Sequence, residues 1–171
     1  MTYFIRLATT EDIAGIAKVH VDSWRTTYKG IIRQEFLDNL TYSNREALWK
    51  RNIERGREGD TILVAVNEEE QIIGFTCGSK TQEGEYPTYD ADLTAIYVFE
   101  HEQGKGIGKA MLKQLFVEFK KLNYSSSIVK VLEDNSSCRF YEAMGAKFID
   151  SNPIQIGGEQ LELLTYGWPK I

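Results

Sequence analysis

The sequence predicts an α/β fold, and three observations carry that prediction. Short apolar runs rich in β-branched and aromatic residues alternate with stretches of helical period. The run Leu93-Thr94-Ala95-Ile96-Tyr97-Val98 leads through glycines at 104, 106 and 108 into the amphipathic stretch beginning at Ile107. Near the end, two long alternating segments flank Gly157-Gly158, the pattern of a closing hairpin.

The elements follow in order. Residues 3–7 alternate like a strand. Thr9-Thr10-Glu11-Asp12 supplies a cap and first-turn acids for a helix carrying Ile13, Ile16, Ala17, Val19 and His20 on one stripe. That helix is expected to break at Gly30, with a short helix over 34–40. Ser43-Asn44-Arg45-Glu46 reads as a capping box that opens a third helix ending near Gly56. Residues 61–66 and 71–80 read as strands around the acidic turn Asn67-Glu68-Glu69-Glu70. A polar loop covers 81–90, and 92–98 is the central strand. The helix after the glycines is expected to reach about Asn123. Residues 127–131 form another strand, and Asn135 or Ser136 caps the helix bearing Tyr141. Residues 147–156 and 159–168 close the fold.

Bulk properties narrow the function. A chain of 171 residues suggests one domain spanning 1–171, and a hydrophobic fraction of 42% can fill its core. A net charge of −5 argues against a general binder of nucleic acid or membrane surface, which needs a basic face. No apolar stretch approaches the roughly 20 residues of a membrane span, and Met1-Thr2-Tyr3-Phe4 does not open a signal peptide. Cys77 and Cys138 make no disulfide framework, and the expected setting is cytoplasmic. His20 and His101 stand apart with no Cys/His cluster, so no metal is expected.

The glycine turn is the most informative segment. Between a strand and a helix it leaves backbone N–H groups unpaired at a helix N-terminus, where anions and above all phosphates bind. Lys105 and Lys109 add positive charge. The nucleoside-triphosphate loop does not fit, because Ala110 follows Gly108-Lys109 where Ser or Thr is needed, and no glycine stands at the required spacing before Gly108. The dinucleotide pattern does not fit either, because the third glycine comes one residue early.

Gln103-Gly104-Lys105-Gly106-Ile107-Gly108 resembles the acyl-CoA pyrophosphate loop of the GNAT superfamily of N-acetyltransferases, Gln/Arg-x-x-Gly-x-Gly/Ala. Downstream, Asn135-Ser136-Ser137-Cys138-Arg139-Phe140-Tyr141-Glu142-Ala143-Met144-Gly145-Ala146 resembles the family's second signature, with Cys138 and Ala146 where Ala and Phe are common. The lead-in Leu93-x-x-Ile96-Tyr97-Val98 is also similar. The resemblance implies a GNAT fold: a central mixed, mostly antiparallel sheet, a splayed parallel strand pair, and helices on both faces. It implies transfer of an acetyl group from acetyl-CoA to a primary amine of a small molecule, by direct attack in a ternary complex.

Site roles come from the same resemblance. Gln103, Gly104, Lys105, Gly106, Ile107, Gly108 and Lys109 would hold the pyrophosphate. Ile96, Tyr97 and Val98 would border the pantetheine arm, with the Val98 N–H facing the oxyanion. Asn135 would bind the pantetheine side, and Tyr141 would protonate the CoA thiolate. Asp92, eleven residues before Gln103, is the candidate base, with Glu100, Glu102 or water as alternatives. Trp24, Tyr28, Glu83 and Tyr86 are candidate acceptor contacts. Aromatic rings with carboxylates suit a cationic amine such as a polyamine. Ser23-Trp24-Arg25-x-Thr27-Tyr28-x-Gly30-Ile31-Ile32 resembles a subgroup in which some members act on polyamines or antibiotics. The alternatives are acetylation of a protein N-terminus or lysine, and an acyl-CoA sensor without catalysis. A homodimer through the closing hairpin is a further expectation.

Overall fold

Every apolar run read from the sequence becomes a strand of one sheet in the computed structural model, which describes residues 2–56 and 60–171. The chain order is β1 (Tyr3–Leu7), α1 (Ile13–Thr27), α2 (Gln34–Asp38), α3 (Tyr42–Glu54), β2 (Thr61–Asn67), β3 (Ile72–Lys80), β4 (Ala91–Val98), α4 (Ile107–Lys121), β5 (Ser127–Leu132), α5 (Ser137–Ala143), β6 (Lys147–Ile156) and β7 (Glu159–Trp168). The sheet order is β1-β2-β3-β4-β5-β7-β6. Among the described strands only β4 and β5 run parallel; the other neighbours are antiparallel. The predicted α/β class and the mixed, mostly antiparallel sheet are both found.

Helices cover both faces because each sends one apolar stripe inward. On one face Ile16, Ala17 and Val19 of α1 and Trp49 of α3 meet Val64, Val66 and Phe75. On the other, Leu112, Leu115 and Phe119 of α4 and Tyr141 of α5 meet Leu63, Leu93, Val129, Tyr166 and Trp168. A third cluster joins Val21 and Tyr28 to α2 and to Leu132, where the hairpin's Ile154, Ile156, Leu161 and Leu163 pack.

Several boundaries move for local reasons. The capping box of α3 lies at Thr41, not Ser43: the Thr41 hydroxyl accepts from the Asn44 N–H at 3.1 Å, and Asn44 Oδ1 accepts in return from the Thr41 N–H. Thr41 has the extended backbone that a cap needs, at φ −123°. Helix α4 stops at Lys121, two residues before Asn123, which takes φ 66°. Asn tolerates that left-handed conformation and commonly ends helices. At the N-terminus, Asp12 is held below the usual carboxylate range by its 2.7 Å ion pair with Arg6. No helix among the described residues is long and apolar enough to cross a membrane.

Candidate active site

The site begins where β4 and β5 part. They pair only at Ala91–Ser127, Asp92–Ile128 and Leu93–Val129, and beyond Leu93 the strands separate. A bulge coincides with the parting: Cys77 faces Ala95 but Gly78 faces Leu93, so Thr94 is an extra residue in β4. The free edge of β4 can be assigned from its register with β3. Phe99 N–H donates to Ile73 O at 3.1 Å, which makes alternate residues turn toward β3. Ile96 and Val98 therefore direct their N–H and C=O groups the other way, into the gap. The Val98 carbonyl accepts from Gln103 Nε2 at 3.2 Å.

A cleft of about 610 Å³ runs along this edge, bordered by Ile96, Tyr97, Val98 and Glu102, by Gln103, Gly104, Gly106, Ile107, Gly108 and Lys109, and by α5 across the gap. Gly104 and Gly106 adopt φ 79° and 82°, which L side chains rarely reach, and Gly106 is the cap of α4. The first N–H groups of α4, at Ile107, Gly108 and Lys109, have no intrahelical acceptor and open on the cleft. Lys109 is exposed, while Lys105 pairs with Glu102 at 2.8 Å. Such an arrangement suits an anion, and the helix dipole adds to it.

At the far end of the gap lies a cavity of about 30 Å³, lined by Tyr28, Leu93, Thr94, Ala95, Ile96, Tyr97, Val129, Lys130, Val131, Asn135, Ser137 and Tyr141. Ile96 and Tyr97 border both spaces. Tyr141 is buried at 6% exposure, and among the described residues its hydroxyl has no hydrogen-bond partner. Its ring is fixed edge-on against Phe140 and Trp168. Burial, then the neighbouring Tyr28, raises its pKa and keeps it a neutral phenol. Asn135 accepts the Ser137 N–H at 2.8 Å and donates to the Tyr28 hydroxyl at 3.3 Å. Tyr28 and Tyr97 share a hydrogen at 3.4 Å.

Asp92 sits just below the bulge. Burial, with Glu85 adding and Lys130 opposing, raises its carboxyl to about 6. Lys130 pairs with Glu85 at 2.9 Å and lies 5.7 Å from the centre of the Tyr86 ring. The remaining sequence candidates are not brought together. Glu83 is exposed and lines a separate cleft with Trp49, Asp60 and Lys80. The Tyr86 hydroxyl is held by Asp150 at 2.8 Å and Thr165 at 2.9 Å. Trp24 packs edge-on to Tyr28 at 4.7 Å, and among the described residues its indole N–H has no acceptor within hydrogen-bond geometry. Of the alternative bases, Glu102 is taken by Lys105 and Glu100 is exposed.

Thr94, Lys130 and Ser137 line the cavity and are not among the residues the sequence singles out. Lys130 carries a readable signal, as the one charge in the apolar run Ser127–Leu132. Thr94 carries none, because a bulge depends on its partner strand.

The comparisons agree with this geometry. A family model described as the Acetyltransferase (GNAT) family matches residues 21–146. A curated protein named Uncharacterized N-acetyltransferase YuaI, from Bacillus subtilis strain 168, is 36% identical over 167 residues, covering 98% of this chain and 93% of that one. Among solved structures, PaiA N-acetyltransferase from Thermoplasma acidophilum, in complex with coenzyme A, aligns with a TM-score of 0.78 at 23% identity, over 98% of this chain and all 100% of that one. YncA from Salmonella typhimurium, solved with acetyl-CoA, aligns with a TM-score of 0.72 at 20% identity, over 98% and 94% of the two chains. The last two likenesses bear on fold. The family model and the YuaI identity go further, and with them the glycine turn and the parted strands have one reading: this chain belongs to the GNAT family of acetyltransferases.

Proposed function

We propose that this protein transfers the acetyl group of acetyl-CoA to a primary amine of a small molecule, by direct attack while both are bound. The observation that carries the reading is the continuity of three features. An anion-binding helix terminus opens on a cleft, the cleft follows a free strand edge, and it ends at a buried phenol with no partner among the described residues. That sequence suits a diphosphate, an amide-bearing arm and a thioester in turn. The coenzyme A and acetyl-CoA of the Thermoplasma and Salmonella structures support it.

The residues divide the work. The N–H groups of residues 104–109, with Lys105 and Lys109, hold the phosphates. Ile96 and Val98 offer paired N–H and C=O groups to an extended amide chain, as a sheet edge does for an added strand. Tyr97 stands between cleft and cavity. The Val98 N–H faces the oxygen that gains charge, where a fixed donor is most effective. Tyr141 gives its proton to the departing thiolate, and its raised pKa keeps that proton available at neutral pH.

Asp92 takes a proton from the amine through water. Its carboxyl near 6 predicts two effects of Asp92→Asn. The acid limb of the pH–rate profile near that value should disappear, and an unchanged profile removes Asp92 from the mechanism. The ionised carboxylate also costs stability, because the folded value lies above the ordinary aspartate value of 3.8. The variant should therefore melt higher than wild type above pH about 6, with the gap closing as pH falls toward about 4.

A small acceptor fits better than a protein segment. The loop over residues 81–90 is tied down by Tyr86, by Asp90 accepting from Ser125, and by Thr81 donating to Tyr89 O, which suits a small acceptor more than a long peptide. A free hydroxyl on Tyr141 favours catalysis over a sensor. For a polyamine, the ring faces count against it: Lys130 lies over Tyr86, and Trp24 is engaged by His20, Tyr28 and Phe36. We place the enzyme in the cytoplasm, as one domain that can pair through its hairpin. The test is acetyl-CoA-dependent thiol release against polyamines, aminoglycosides, amino acids and short peptides. Turnover with a small amine supports the reading, turnover with peptides alone replaces it, and silence from every amine despite acetyl-CoA binding overturns it.

A further inference from the structure

The cavity between the parted strands holds a hydrogen that no group among the described residues accepts. Tyr28 and Tyr97 bring two hydroxyl hydrogens to one shared contact at 3.4 Å. One hydrogen lies between them, so one is left over. Asn135 cannot take it. The Asn135 carbonyl oxygen is identified by the backbone N–H of Ser137, a donor at 2.8 Å, so the amide end that meets Tyr28 is the NH₂, which only donates. Trp24, beside Tyr28, also offers only a donor. Among the described residues no acceptor receives the second hydrogen of the pair. Both tyrosines line the cavity, so the hydrogen is presented there.

What it meets follows from size and side. At about 30 Å³ the space takes a group roughly as large as an acetyl, not the body of an amine. Tyr97 packs with the α1-side cluster, and Tyr141 packs with the α4 and α5 cluster on the opposite face. The hydroxyl pair and Tyr141 therefore approach the same small space from opposite sides of the sheet. A donor buried in such a space costs free energy unless an acceptor atom comes to it.

We propose that the Tyr28–Tyr97 pair is a second hydrogen-bond donor to the acetyl carbonyl oxygen, and that Asn135 is the positioning residue that turns its hydrogen into the cavity. The proposal rests on the acetyl-transfer reading above. It gives Asn135 a task beyond capping α5, and it moves Tyr28 from acceptor contact to the reacting group.

The test uses Asn135→Asp, the paired variant Tyr28→Phe with Tyr97→Phe, and all three changes together. Both hydroxyls must go, because removing one leaves the other's hydrogen without an acceptor. Aspartate keeps the oxygen that receives the Ser137 N–H, so α5 stays capped. It replaces the donating amide by an acceptor, which draws the Tyr28 hydrogen away from the cavity. Asn135→Asp and the paired variant should each lower kcat at least about tenfold, the scale of losing one donor to a developing oxyanion, with the amine KM unchanged. The triple variant should be no slower than the paired variant, because Asn135 acts through the hydroxyls. Infrared spectra of bound acetyl-CoA labelled with carbon-13 at the carbonyl give a readout that needs no acceptor. Its stretch should move toward the free value in the paired variant. Multiplying losses, a rise confined to the amine KM, or an unshifted stretch with unchanged kcat overturns the proposal. A wild-type chain that acetylates no amine overturns the functional reading itself; an active wild type with an indifferent paired variant overturns only this inference.

Discussion

Replacing Tyr141 by phenylalanine is expected to lower kcat at least about tenfold while leaving acetyl-CoA affinity within about twofold of wild type. The ring is retained, so its edge-on contacts with Phe140 and Trp168 persist, and the cluster under α5 is not opened. Only the oxygen goes, and among the described residues it has no hydrogen bond to lose. That isolates the chemical role from the structural one. A residue that merely packs would tolerate the change, and one that held the thioester would show it in binding. Steady-state kinetics with calorimetric titration separates the three cases, and unchanged turnover removes Tyr141 from the mechanism.

The largest effect on stability is expected at Gly78. A Cβ there would overlap Phe119 Cζ and lie 2.7 Å from Phe119 Cε1 and 3.0 Å from the Asp92 carbonyl oxygen. Phe119 is fully buried and wedged between Phe116 and Tyr124, and the Asp92 oxygen belongs to the backbone. Neither can move aside without disturbing its surroundings. Gly78→Val should cost about 3 kcal/mol, the upper range of overpacking. That corresponds to a melting temperature lower by roughly 6–12 °C for a chain of this size. Ser79→Ala, one position along, should leave the melting temperature nearly unchanged. Equal melting of Gly78→Val and wild type would refute the packing argument. Gly78 faces Leu93 immediately below the bulge, so a folded Gly78→Val should also lose acetyl transfer.

The two expected outcomes differ in how far each was legible from the residues alone. Tyr141 stands in a motif whose spacing survives without coordinates. The hairpin was equally open: Gly157 and Gly158 take φ 61° and 83°, and the strands end where the alternation ends. The α3 cap was harder. Thr41 with Asn44 and Ser43 with Glu46 are overlapping boxes, and only the extended backbone at Thr41 selects the first. The hydroxyl network was not legible. Tyr28 lies 69 residues from Tyr97 and 107 from Asn135, and a local pattern cannot register contacts closed by the whole sheet. The acceptor candidates failed to converge for a related reason: Tyr86 spends its hydroxyl on Asp150 and Thr165, partners supplied by the closing hairpin.

The extra residue in β4 makes that strand intolerant of changes in length. Leu93 faces the α4 side, and so do Ile96 and Val98, although 93 and 96 differ by an odd number. Ala95 and Tyr97 face α1. Thr94 is the odd count that makes both facts true. Substitutions along β4 change one contact at a time. Deleting a single residue above Leu93 would rotate the upper half by one step. The Tyr97 hydroxyl would leave Tyr28, and the free N–H groups of Ile96 and Val98 would turn toward β3. Between Ala91 and Val98, an insertion or deletion acts as a frameshift in three dimensions, and a lineage that keeps this chemistry must keep the length of β4.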